Sequence, residues 1–71
     1  MITDKNNEPL ILGGLYSNSA NQFTCTDPNP ASDDELCFIR HPDQTQFRFR
    51  EVAEWRDGKL YVDLARVKEA A

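Results

Sequence analysis

The stretch TQFRFREVAEWRDGKLYVDL, Thr45 to Leu64, decides how this chain is expected to fold. Asp57-Gly58 sits between two runs of β-favouring residues, and Asp-Gly is among the strongest short-range signals for a two-residue hairpin turn. Folding there sets Arg56 opposite Lys59, Trp55 opposite Leu60, Glu54 opposite Tyr61, Ala53 opposite Val62 and Glu51 opposite Leu64. Side chains alternate across a strand, so one face collects Phe47, Phe49, Ala53, Trp55, Leu60, Val62 and Leu64. The other collects Arg48, Arg50, Val52, Glu54, Arg56, Lys59, Tyr61 and Asp63. Glu51 is the exception on the apolar face. A carboxylate there must reach the rim, pair with Arg66 or Lys68, or mark a bulge that turns Val52 inward.

Working outward, Ala65 to Ala71 has high helix propensity, Asp63 can cap it, and Leu64 and Val67 fall on one side. A helix of that length holds only when packed on a sheet. Upstream, Leu36-Cys37-Phe38-Ile39 is a compact apolar run followed by His41-Pro42-Asp43-Gln44, a good type I turn with Pro42 second. A strand from Glu35 to Arg40 returning as Gln46 to Arg56 is favoured over a helix from Asp33 to Arg40, although Ser32 and Glu35 stand at capping-box spacing. Ser17 to Asp34 is rich in turn residues, a long loop unless Gln22 to Thr26 forms a short strand. Pro9 to Leu12 reads as an edge strand, Gly13-Gly14 as a bend or bulge, and residues 1–8 as a polar, flexible end.

The expected fold class is α+β: a small three- to four-stranded antiparallel meander, with a short C-terminal helix over the Phe47, Phe49, Trp55, Leu60 and Val62 face. With 71 residues the chain makes one domain. Seven aromatic residues and 39% apolar content suffice for its core, with little margin for a deep catalytic cavity.

The net charge of -4 is uneven. Up to Glu35 there are six acidic side chains against Lys5 alone, whereas the remainder is close to balance. Such a field repels duplex DNA and anionic membranes and suits a protein partner with a basic surface. Leu10-Ile11-Leu12 is too short for a signal sequence or a membrane span, so a cytoplasmic chain with free Cys25 and Cys37 is expected.

The site chemistry is sparse. Cys25, Cys37 and His41 lack the paired short spacing of structural zinc ligands, and neither a metal nor any other cofactor is expected. Ser17, Ser19 and the cysteines have one histidine among them and no oriented third group, so no catalytic residue is assigned. The expectation is therefore a non-enzymatic accessory or regulatory protein, such as an inhibitor, that binds a protein partner. Its contact residues are expected in the acidic loop, Asp33, Asp34 and Glu35, or on the sheet face of Arg48, Arg50, Arg56, Lys59 and Tyr61. The companion expectation is that an exposed edge at Leu10 to Leu12 pairs with a partner strand or a second copy. The alternative is a single-stranded nucleic-acid module, in which the arginines track phosphates and Tyr61 stacks on a base.

Overall fold

The computed structural model describes residues 2–67. Its strands are β1 (Leu15–Ser17), β2 (Gln22–Cys25), β3 (Leu36–His41), β4 (Gln46–Arg48), β5 (Ala53–Arg56), β6 (Lys59–Val62) and β7 (Ala65–Arg66), with one helical turn, α1 (Phe49–Val52), between β4 and β5. Five strands form an antiparallel sheet in the order β4-β3-β2-β1-β7, and β5 and β6 form a separate hairpin. The protein is a mostly β domain.

The strand read at Gln22 to Thr26 is present as β2, and the apolar run after Glu35 is β3. In β2 Phe23 and Cys25 alternate with Gln22 and Thr24, whereas β3 opens on the unbroken apolar run Leu36 to Ile39. Asn18 closes the β1–β2 turn, its Oδ1 accepting from the N–H groups of Ala20 and Asn21 at 2.9 and 2.8 Å. The β3–β4 turn is one residue wider than the expected type I turn. Gln44 N–H donates to Arg40 O at 2.8 Å, and Arg40 N–H to Thr45 O at 2.8 Å.

The long hairpin divides into two. Its distal half keeps the expected register, Ala53 with Val62 through Arg56 with Lys59, about a turn whose residues both take positive φ, 52° at Asp57 and 76° at Gly58. That is the type I′ geometry Asp-Gly favours. Its proximal half leaves the ladder at Phe49, and Phe47 pairs with Phe38 in the large sheet. The break is local. Glu51 Oε2 accepts the Arg48 N–H at 2.6 Å, as a capping carboxylate does at the third position of a helix. Thus Glu51 marks a helical turn rather than a bulge, and Val52 is half-buried against the core.

The register places Tyr16, Phe23, Cys25, Phe38 and Phe47 on one face of the sheet. Their rings meet edge to face, with Tyr16–Phe38, Phe23–Phe38 and Phe23–Phe47 centroids 5.8, 6.4 and 5.4 Å apart. Leu10, Phe49, Val62 and Leu64 complete the same buried cluster. The chain therefore runs from β4 at one edge, through α1 and the hairpin over the aromatic face, to β7 at the other edge.

Three expectations are corrected. Ala65 and Arg66, expected to begin a C-terminal helix, are strand β7, paired with Ser17 and Tyr16; residues 68–71 of that expected helix lie outside the described residues. The outer edge of β1 offers backbone hydrogen bonds that a single isolated helical turn cannot match. Pro9 to Leu12 is not a strand: Leu10 is buried, Ile11 and Leu12 are exposed, and Ile11 N–H donates to the Tyr16 hydroxyl at 3.0 Å. Gly14 permits this close passage, since a Cβ there would lie 3.0 Å from a Tyr16 ring carbon. Trp55, assigned to the core by alternation, is 72% exposed. It sits beside the turn of a two-stranded hairpin, beyond the reach of the sheet beneath.

Asp4 is a buried polar anchor within a segment whose polar composition gave no sign of it. Its Oδ1 accepts from Asn6 N–H at 2.8 Å and Glu8 N–H at 3.1 Å, and Thr3 O accepts Val62 N–H at 2.8 Å. The first two close a turn within the N-terminal segment, and the third holds that segment against β6.

Candidate functional site

The expected contact residues do not form one surface. Arg48 ends β4, Arg50 lies in α1, and Arg56, Lys59 and Tyr61 lie on the hairpin. The helical turn at Phe49 to Val52, which carries Arg50 itself, takes Arg48 and Arg50 out of the ladder that holds the last three. The single basic sheet face is thereby overturned.

Arg50 instead meets the acidic loop. Its guanidinium Nη1 is 3.0 Å from Asp34 Oδ1, and its N–H donates to Asp33 O at 3.0 Å. Phe49 N–H donates to Glu35 O at 2.9 Å, so the loop is stitched to α1 by its backbone. Asp33, Asp34 and Glu35 remain exposed. Two groups that the sequence offered as separate binding patches are brought together here, and part of their charge cancels.

The hairpin gathers the other residues. The Arg56 guanidinium lies over the Tyr61 ring, 4.1 Å from its centroid, and its Nη2 donates to Lys5 O at 3.1 Å. Lys5, Arg56, Lys59 and Tyr61 line an open cavity of about 430 Å³, with Asp57 at its rim and the buried Asp4 in its wall. Lys5 was missed because a single lysine in a polar end carries no pattern. Leu60 and Ile2 line a neighbouring groove that shares Thr3, Asn7 and Lys59 with this cavity, and the cross-strand partner of Leu60 is the exposed Trp55. The outer edge of β5 pairs with no other strand among the described residues.

The chemistry elsewhere is quiet. Cys25 and Cys37 are free and buried; burial pushes both thiols toward the protonated form, Cys37 to about 11. His41 is half-buried, its Nε2 2.7 Å from Thr24 Oγ1 across the β2–β3 pair. No group of three His, Cys, Asp or Glu side chains placed to hold a metal is found among the described residues. The Arg40 guanidinium, together with Thr45, holds the Asp43 carboxyl well below the usual carboxylate range. That pair closes the β3–β4 turn and serves structure. Among the described residues no helix is long and apolar enough to cross a membrane.

No family model, no curated protein and no solved structure matches this chain.

Proposed function

We propose that this chain is a non-enzymatic accessory or regulatory protein of the cytoplasm, acting by binding a protein partner through the β5–β6 hairpin. The observation that carries the reading is Trp55, 72% exposed in a strand whose outer edge is unpaired among the described residues. An exposed tryptophan gains more from partner burial than any other side chain, and a free edge supplies backbone hydrogen bonds to an incoming strand. Glu54 and Arg56, its neighbours along β5, would supply the polar rim. A non-enzymatic role is supported by buried, protonated thiols and by a histidine engaged with Thr24. Inhibition by occupying a partner's surface is the simplest regulatory mode open to such a hairpin.

A second reading rests on the cavity around Tyr61. Lys5, Arg56 and Lys59 surround an aromatic ring there, a combination suited to single-stranded nucleic acid.

One set of variants separates the two. The wild-type chain is used to capture its partner from the native host beside W55A, Y61A and K59E. Protein binding predicts one specific protein, lost with W55A and retained with K59E. Nucleic-acid binding predicts salt-dependent affinity for an oligonucleotide, lost with K59E and Y61A. If W55A captures the same protein as the wild type, the hairpin reading is wrong.

A further inference from the structure

We propose that the outer edge of β5 pairs with the same edge of a second copy, antiparallel and centred on Trp55; this rests on the hairpin being the contact surface, and names its partner as the chain itself. The backbone sets which groups face outward. In a type I′ hairpin the residues flanking the turn, Arg56 and Lys59, form a hydrogen-bonded pair, and such pairs alternate along the ladder. Glu54 and Tyr61 are then the next hydrogen-bonded pair. The N–H and C=O of Trp55 and Ala53 consequently point away from β6. The same alternation turns the Val62 N–H outward on the other side, where Thr3 O takes it at 2.8 Å. On the β5 side no strand of the chain takes the corresponding groups among the described residues.

Charge selects the register. With Trp55 opposite Trp55 of the second copy, Glu54 of each chain faces Arg56 of the other, on the face away from the indoles. Two opposite-charge pairs form at once, and neither Glu54 nor Arg56 has an ion-pair partner among the described residues. A slide by two residues in either direction, which keeps the same backbone groups facing each other, would set Glu54 against Glu54 or Arg56 against Arg56. The hairpin is self-complementary only in the register that also brings the two exposed indoles side by side. The result is a four-stranded sheet, β6-β5-β5-β6, across a two-fold axis.

A four-residue edge and one indole per chain fall short of the roughly 1,200–2,000 Å² of a standard stable interface, so association is weak and concentration-dependent. Its exposed ion pairs are screened by salt.

Sedimentation of the full chain from about 1 µM to 1 mM tests this. The wild type is expected to pass from monomer to dimer, less readily at high salt. E54R and R56E each set like charges opposite at both positions, and each alone is expected to associate roughly tenfold more weakly. An equimolar mixture of E54R and R56E restores opposite charges at both positions and is expected to dimerise. Backbone spectra check that the variants keep the fold. In the wild type, exchange protection of the Trp55 N–H should rise with concentration, a readout that needs no variant. A wild type monomeric at 1 mM, or a mixture no better than its components, overturns self-pairing. Loss of self-pairing together with W55A-sensitive capture of a different protein would leave the hairpin-binding reading standing, so the two failures are distinguishable.

Discussion

The Glu51 carboxylate accepts the Arg48 N–H at 2.6 Å, and that bond sits where an extended chain becomes the helical turn carrying Phe49 into the core. Backbone donors at a helix start need an acceptor, and removing a side-chain cap costs about 1 kcal/mol. Glu51→Ala is therefore expected to lower unfolding free energy by about 1 kcal/mol, and Glu51→Gln, which keeps an acceptor oxygen, by less. Urea unfolding at constant slope measures both. Equal losses for the two variants would mean that the bond contributes nothing specific. Glu51 was legible in the sequence as a misplaced charge on an apolar face. Its remedy was not, because a bulge, a rim position and a capped turn all satisfy a carboxylate, and alternation does not rank them.

At the scale of elements, the two aromatic residues Phe38 and Trp55 separate the core sheet from the hairpin. Phe38 is fully buried, with its ring edge to face against Tyr16 and Phe23, while Trp55 is mostly exposed. Phe38→Ala is expected to cost about 3 to 5 kcal/mol through lost transfer energy and a cavity. Trp55→Ala is expected to stay within about 0.5 kcal/mol. Thermal or denaturant unfolding of the pair would refute the division of the chain if Trp55→Ala proved as damaging as Phe38→Ala. The register from Ala53 to Arg56 was readable because Asp57-Gly58 fixes it locally. The exposure of Trp55 was hidden, since alternation says which side of a ribbon a residue occupies and not whether anything lies beneath. A hint was present in length: a hairpin from Thr45 to Leu64 asks for a first strand, Thr45 to Arg56, longer than the usual range and twice the length of its partner.

For the molecule as a whole, one aromatic-lined core contains both thiols, so they report on global unfolding together. Burial raises the Cys37 thiol from its ordinary 9.0 to about 11, and raises Cys25 as well. A folded-state value above the unfolded one means that the fold retains a proton which the unfolded chain gives up. Stability from this source is fully present below pH 9 and is lost as pH rises toward 11. Unfolding midpoints are expected to fall across that window in the wild type and to fall less in Cys37→Ala, once its own cavity cost is subtracted. In native protein at pH 8 a thiol reagent should label Cys25 and Cys37 slowly and in a single phase set by opening of the core. Rapid labelling of either cysteine would contradict its burial.

The sequence by itself determined what depends on near neighbours. Asp57-Gly58 fixed a turn and four residue pairs, the run at Leu36 favoured a strand over a helix, the alternation at Gln22 left a strand open, and composition pointed to a single small acidic domain. Only the tertiary structure decided which strands share a sheet, that Ala65 and Arg66 join β1 as a fifth strand, that Asp34 meets Arg50, and that Trp55 is left outside. The physical reason is common to all four. Local preferences are set by a residue's own backbone and its neighbours, whereas burial and partner choice are settled by competition for one limited core, and the Trp55 end of the hairpin lies beyond it.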